Sequence, residues 1–339
     1  MRKKIIISDP TLRDGNHAVH HRLTLEQIEC YAKAADQAGI PIVEVGHGNG
    51  LGASSLQVGL CAVSDREMLE VARNSLTKSK LSVHCIPSFA TINKDLKPAI
   101  DIGVDIVRVA THVTEADVTQ RQIGYVRDRG IEAYGALMMS HMAPIDRLVE
   151  ECVKLESYGA QAIILMDSVG GYLPNDVRDR ISRVVADVKV PICFHAHNNL
   201  GMAIANSIAA VEAGARMLDA SARGFGAGAG NAQLEVLVAV LGKLDYDTGI
   251  DLYKMLDASD IAENYLMTTV PSIKPTSIVS GLAGVFSGFS KHVDRISKQY
   301  GVDPRDIFFE LGRRKVVAGQ EDIIIEVTMD LVKSRNCKT

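Results

Sequence analysis

The sequence predicts an α/β fold, a (β/α)₈ TIM barrel with a C-terminal helical region, and three observations carry that expectation. Short β-branched runs recur eight times, each followed by a longer stretch with helical spacing. Several of those stretches close on glycine before the next run, at Gly39, Gly103, Gly130, Gly159 and Gly214, where a left-handed cap turns the chain back. Strands this apolar, alternating with amphipathic helices, suit a parallel sheet covered on its outer face. Eight such units in roughly 240 residues fit a closed barrel, with a doubly wound open sheet as the alternative.

Taken in order, the strands are expected at Ile5–Ser8, Ile42–Gly46, Leu81–Ile86, Ile106–Ala110, Ala133–Leu137, Ala162–Met166, Pro191–His195 and Met217–Ala220. Helical spacing marks Leu25–Ala38, Val118–Arg129, Asp146–Tyr158, Asn175–Val185 and Met202–Ala213 between them. From about residue 245 the pattern changes. Asp251–Ala262, Thr276–Ser287, His292–Tyr300, Pro304–Leu311 and Glu321–Asp330 read as helices with no strands between. The division expected is a catalytic barrel over 1–244, a helical region over 245–333 that could dock a partner, and a frayed polar tail over 334–339.

The composition narrows the function classes. The chain has 339 residues, 47% hydrophobic and 23% charged, which suits a soluble globular protein with a sizeable core. A net charge of −4 provides no basic field for nucleic acid. No apolar run approaches the ~20 residues of a membrane span, and the N-terminal apolar run, three isoleucines long, is too short for a signal peptide. The six cysteines form no CxxC pair and read as reduced thiols of a cytoplasmic protein.

In such a barrel the chemistry lies at the C-terminal ends of the strands. That is where the polar residues of this sequence gather: Arg13, Asp14 and His17 after strand one, His47 and Asn49 after strand two, His112 and His141 after four and five, Asp167 and Ser168 at six, and His195 and His197 at seven. In Phe194-His195-Ala196-His197 the two imidazoles alternate along a strand and project together, as two ligands of one ion must. Asp14 lies near them once the barrel closes. Two imidazoles and a carboxylate leave positions open for substrate on a divalent metal; the bland alternative is two histidines satisfying hydrogen bonds at the barrel mouth. Arg13 beside Asp14 could stabilise negative charge on a substrate oxygen, or be an ordinary ion pair. His17 could move a proton near neutral pH, or be a solvated loop residue. His20 and His21 read as loop residues or supporting groups. The glycine-rich loop from Gly224 to Gly230 lacks the Lys-Ser/Thr of a P-loop and fits close backbone approach to the metal better than phosphate binding. Asn231 is either a metal or ligand-orienting group or a helix N-cap.

TLRDG, HAH and GAGAGNA together resemble the metal-dependent pyruvate aldolases of the 4-hydroxy-2-oxovalerate aldolase type, in the barrel group that includes hydroxymethylglutaryl-CoA lyase and isopropylmalate synthase. The similarity runs nearly end to end, through EVGHGNGLGASS, RVATHVTEADV, LMMSHMAP, ESYGAQ, IANSI and, beyond the barrel, ELGRRKVVAGQED. The resemblance implies a divalent metal, usually Mn²⁺, on Asp14, His195 and His197. It implies that Arg13 steadies a pyruvate enolate, that His17 takes the 4-hydroxyl proton, and that Ser168 contacts the substrate beside His195. It also implies an acylating aldehyde dehydrogenase partner at the C-terminal helices, small-molecule substrates of the 4-hydroxy-2-oxo acid, pyruvate and aldehyde type, and a setting in aromatic hydrocarbon breakdown. The sequence departs from the family where GVYSSF is usual and GVFSGF stands here, so that Phe286 replaces a tyrosine set against C4 of the substrate. The stretch after strand six also differs, and Asn198 stands where relatives often carry histidine. These departures point to looser C4 selectivity or a bulkier aldehyde. The rival readings are a biosynthetic aldolase using a bulkier aldehyde or 2-oxobutyrate, a Claisen-type acyl-CoA enzyme, and a non-catalytic dehydrogenase-binding subunit.

Overall fold

A computed structural model describes residues 3–317 and 319–336. Eight parallel strands close into a barrel in sequence order: β1 (Ile6–Leu12), β2 (Ile42–Val45), β3 (Lys80–Cys85), β4 (Ile106–His112), β5 (Glu132–Met138), β6 (Ala162–Asp167), β7 (Ile192–Ala196) and β8 (Met217–Asp219). Each expected strand lies within a few residues of its predicted place. The largest shift is in β1, which continues four residues past Ser8 to Leu12, with an irregular register against β2 between Asp9 and Leu12. That extension carries Arg13 and Asp14 up to the rim.

The helix Leu25–Ala38 matches its expected bounds, because both ends are written into the chain. Thr24 and Gln27 form a reciprocal capping box at its start, and Gly39 takes a left-handed φ of 80° at its end. Helices Asp65–Ser75, Lys97–Ile102 and Leu234–Lys243 complete the outer ring.

Because side chains alternate along a strand, one set of residues fills the barrel interior. Its lower part is apolar, with Ile42, Ile106, Ala162, Cys193 and Met217 in one cluster. One step up the same strands, on the same face, stand Glu44, Arg108, His195 and Asp219, all essentially sealed from solvent. A charged layer therefore sits directly beneath the rim.

The segment after residue 245 opens with a strand pair that the sequence pattern does not announce: Tyr246–Asp247 pairs in parallel with Lys3–Lys4. The Ile5 amide donates to the Asp247 carbonyl at 2.9 Å, so the pair ties the N-terminus to the chain leaving the barrel. Helix Leu252–Ile261 and the turn after it contribute Met255, Ala258, Ala262 and Leu266 to the barrel's own core. Helices Pro275–Ala283, Ser290–Tyr300, Pro304–Arg313 and Ile323–Asn336 enclose a second core of Val285, Phe289, Val293, Phe308, Leu311 and Val327. Of the expected frayed tail over 334–339, residues 337–339, including Cys337, lie outside the described residues, and helix Ile323–Asn336 runs through 336. The second unit meets the barrel rim through the Ser287 amide on the Ser168 carbonyl (3.3 Å) and Asn199 Nδ2 on Ser287 Oγ (2.9 Å).

Candidate active site and metal centre

Three ligand atoms converge at the rim where β7, β8 and β1 adjoin. Asp14 Oδ2 lies 3.3 Å from His195 Nε2 and 3.8 Å from His197 Nε2, and the two imidazole nitrogens are 3.4 Å apart. Ligands about 2.1 Å from one cation stand about 3.0–3.4 Å from each other in octahedral to tetrahedral geometry, so the trio is nearly preset. Asp14 Oδ2 is buried and accepts no hydrogen bond among the described residues, while Oδ1 takes the Ala227 amide at 3.2 Å. A buried carboxylate oxygen left without a donor needs a cation to satisfy it. Within the described residues, this is the group of histidine, cysteine and acidic side chains close enough to hold an ion together. The donor set therefore fits a divalent metal.

The electrostatics agree. Burial alone would raise the Asp14 carboxyl, but the Arg13 guanidinium and the two imidazoles outweigh it and hold it well below the usual carboxylate range. Burial lowers His197 to about 4, against the pull of Asp14. His195 goes the other way: burial opposes its charging, but the carboxylates of Asp14 and Asp219 raise it. Its Nδ1 lies 2.9 Å from Asp219 Oδ2, an arrangement that turns Nε2 toward Asp14.

Arg13 is buried beside this centre. Its Nε donates to Glu44 Oε2 at 2.8 Å and its Nη1 to the Gly48 carbonyl at 3.2 Å, with Asp14 Oδ2 3.4 Å from Nη1. Its Nη2 has no acceptor among the described residues. One face of the guanidinium is thus locked and one donor is free.

His17 stands on the next turn, partly open to solvent. Its ring meets His21 edge-on at 5.1 Å, and His21 stacks on His47 at 3.6 Å. His47 is engaged on both sides, taking the Asn49 amide on Nδ1 and meeting the Gly59 carbonyl with Nε2. His21 takes the Gly48 amide on Nδ1. The His17 ring nitrogens meet no hydrogen-bond partner among the described residues. Burial lowers His17 to about 3, reinforced by His47 and Arg13 and opposed by Asp14. A Cβ on Gly48 would lie 2.5 Å from the His17 ring, so that glycine lets the imidazole lie against the backbone.

The remaining expected residues are placed as follows. Ser168 is buried at the end of β6, and its Oγ accepts the Met139 amide at 2.9 Å. Phe286 is half-buried in the loop that joins the second unit to the rim, edge-on to Phe289 at 5.7 Å. Asn231 pairs across a backbone bridge with His197, and its Oδ1 is buried without a partner. The cap of helix Leu234–Lys243 is Gln233, so Asn231 does not serve as the N-cap. Ala227 and Ala229 in the glycine-rich loop give their amides to Asp14 Oδ1 and Asn199 Oδ1, the close backbone approach its composition suggested. His112 and His141 are engaged elsewhere, with Thr114 and the Gly284 carbonyl. His20 is exposed beside Lys291.

Sequence reasoning missed Glu44, His84, Arg108 and Asp219. The signal was present: a charge within the runs IVEV, IVRVA or MLD sits in a strand buried on both faces, where it needs a buried partner.

Against proteins of known family, residues 4–262 match the HMGL-like family model and residues 271–333 the DmpG-like communication domain. A 4-hydroxy-2-oxovalerate aldolase of Spirochaeta aurantia is 62% identical over 334 residues, covering 98% of each chain. Its counterpart from Pectobacterium atrosepticum is 60% identical over 333 residues, covering 98% of this chain and 97% of that one. This chain belongs to the 4-hydroxy-2-oxovalerate aldolase family. The fold extends to the carboxyl transferase domain of Rhizobium etli pyruvate carboxylase solved with pyruvate and biocytin, with a TM-score of 0.83 at 17% identity. That match covers 98% of this chain and 61% of the other, and it speaks for the fold alone. Membership spans both the barrel and the helices beyond it, since the two family models together reach from residue 4 to residue 333.

Proposed function

We propose that this chain is a carbon–carbon lyase that cleaves 4-hydroxy-2-oxo acids to pyruvate and an aldehyde, with 4-hydroxy-2-oxovalerate giving acetaldehyde as the leading substrate. The observation that carries it is the convergence of Asp14, His195 and His197 beside a buried arginine with a free donor. Family membership along the whole chain supports the same reaction, and the CoA-using and non-catalytic readings are not favoured.

A divalent cation, taken as Mn²⁺, on Asp14, His195 and His197 would polarise the 2-oxo group and stabilise the enolate formed on cleavage. Asp14 supplies one negative charge and the two neutral imidazoles none, leaving net positive charge for an anionic substrate. Arg13 points its free Nη2 donor at the charge that develops on the 2-oxo oxygen, and Glu44 keeps the guanidinium from turning away. His17, neutral and without a competing donor or acceptor, takes the proton of the 4-hydroxyl as the C3–C4 bond breaks. Ser168 Oγ already accepts from Met139, so its own proton is free to be donated to the substrate carboxylate. Asn231 offers its unpartnered Oδ1 as a further ligand or as a group that orients His197. Phe286 supplies an apolar ring where the aldehyde end lies.

The communication-domain match supports docking of an acylating aldehyde dehydrogenase on the C-terminal helices, which leave Leu282, Phe309 and Ile325 exposed. A cytoplasmic setting agrees with five described cysteines that are all free thiols. The deciding experiment is pyruvate release from 4-hydroxy-2-oxovalerate with metal-stripped protein, before and after Mn²⁺ is restored. Release that returns with the metal supports the reading. Protein that binds no divalent metal, or that releases pyruvate equally well without it, overturns it.

A further inference from the structure

Beneath the rim, five charged or polar groups from five strands and loops form one continuous chain: Arg13, Glu44, Arg108, Asp219 and His195. Each link is a shared carboxylate oxygen. Glu44 Oε2 accepts Arg13 Nε at 2.8 Å and also faces Arg108 Nη1 at 3.2 Å. Asp219 Oδ2 meets both Arg108 Nη2 and His195 Nδ1, the latter at 2.9 Å. Arg108 stands in the middle of the barrel, 1% exposed, with Glu44 and Asp219 equally sealed. Its Nη1 also reaches Ser8 Oγ at 3.4 Å.

We propose that Arg108 is a positioning residue: its guanidinium clamps Glu44 and Asp219 and so sets the substrate arginine and the metal-ligating histidine in register with each other. This rests on reading Asp14, His195 and His197 as a metal centre. Stability alone is a poor reason for the arrangement, because a buried ion cluster replaced by well-packed apolar groups often leaves a fold no less stable. Geometry is the better reason. A guanidinium is a rigid planar fork that holds two acceptors in fixed directions, whereas an ammonium is a point charge. Partners that orient a metal-bound histidine typically change metal affinity ~10–100-fold when lost. Here that partner, Asp219, is itself held by Arg108, and the same arginine holds the carboxylate behind Arg13.

The test uses full-length Arg108→Lys and Arg108→Met, with folding checked by circular dichroism and thermal melting. Mn²⁺ binding is read by electron paramagnetic resonance of the free ion, and kcat and KM are measured for 4-hydroxy-2-oxovalerate. In Arg108→Lys, Mn²⁺ affinity falls about 10–100-fold and kcat falls with it, because both halves loosen. Glu44→Gln lowers kcat/KM with Mn²⁺ affinity changed far less; Asp219→Asn lowers Mn²⁺ affinity first. The double variant Glu44→Gln/Asp219→Asn is less than additive, since each change already frees one end of Arg108. A folded Arg108→Lys with wild-type Mn²⁺ affinity and kinetics overturns the proposal, as does strict additivity in the Glu44/Asp219 cycle. That cycle decides the matter if the Arg108 variants do not fold. Wild-type protein that fails to bind Mn²⁺ overturns the metal-centre reading and this inference together; wild-type binding with unaltered Arg108 variants overturns this inference alone.

Discussion

The two sides of the barrel mouth hold their histidines by different means. On the side of β7, β8 and β1, His195 is tied to a carboxylate on each face, and charge surrounds it. On the other side, His17, His21 and His47 lie ring against ring, burial holds each of them neutral, and the hydrogen bonds of His21 and His47 run to backbone groups. The difference matches what the proposed function asks of each side. A metal ligand needs fixed direction, which carboxylates behind the ring provide. A base needs an unoccupied lone pair at working pH, which a neutral, unpaired imidazole provides.

The comparison breaks most completely on the metal side. Asp14→Ala removes the one anionic group of the proposed ligand set, and activity should fall at least about a thousandfold together with loss of Mn²⁺ binding, since stabilising the charge that develops on the substrate is usually what contributes most to such catalysis. Equilibrium dialysis of the variant against Mn²⁺ checks it; near-normal binding would show that another group anchors the ion.

On the neutral side the expected loss is smaller and of a different kind. His17→Ala should lower kcat by about 10²–10⁴-fold, the range for losing a general base, while Mn²⁺ binding stays as in the wild type. Gly48→Ala is milder, because its methyl group would come within 2.5 Å of the His17 ring and shift it without deleting it. A drop in kcat of about 10–100-fold at nearly constant Mn²⁺ affinity is expected, in line with the cost of small misplacements. A Gly48→Ala enzyme with unchanged kcat would show that His17 need not sit where it does.

Much of this is legible in the sequence because it follows local rules. The helix at 25–38 can be bounded to the residue, since Thr24, Gln27 and Gly39 mark its ends. The candidate ligand pair is readable from alternation alone, His195 lying in β7 and His197 one residue past its end. Asp14 needs only barrel closure to reach them. What is not legible depends on contacts between distant strands. Arg108, Glu44 and Asp219 come from β4, β2 and β8, and no local pattern says which charge each one meets. The strand pair Lys3–Lys4 with Tyr246–Asp247 escapes for the same reason, as two residues carry no periodicity.

Buried histidines around the barrel also set a pH dependence of stability. Burial lowers His47, His84 and His141 to about 4, below their ordinary value of 6.5. A depressed histidine stabilises the fold fully above 6.5, and that contribution is lost as pH falls toward 4, because the unfolded chain binds the proton first. Burial raises Asp9 and Asp167 to about 6, and these act oppositely, favouring the fold as pH falls from 6 toward 3.8. The histidines outnumber them, so urea midpoints of metal-free protein should decline from pH 6.5 to 4.5. His47→Gln should flatten that slope, by at most about 1.4 kcal/mol per pH unit. A flat profile in the wild type would mean these rings are hydrated and charge freely.

The smallest effect is expected at Phe286, whose replacement by tyrosine adds only a hydroxyl and leaves the proposed metal ligands and base in place. A phenol at this position could donate one hydrogen bond to the 4-hydroxyl of one enantiomer and not the other. A neutral hydrogen bond contributes a net of about 1 kcal/mol, roughly a fivefold preference. The Phe286 ring carries no such donor, so the wild type should cleave both enantiomers of 4-hydroxy-2-oxopentanoate with kcat/KM values within about tenfold of each other. Phe286→Tyr should widen the ratio by about five- to tenfold while leaving Mn²⁺ affinity alone, because the residue belongs to the loop at Ser287, its ring packs on Phe289, and it is none of the three candidate ligands. Strong preference for one enantiomer in the wild type would place the stereochemical control elsewhere on the rim, in groups that Phe286 does not contact.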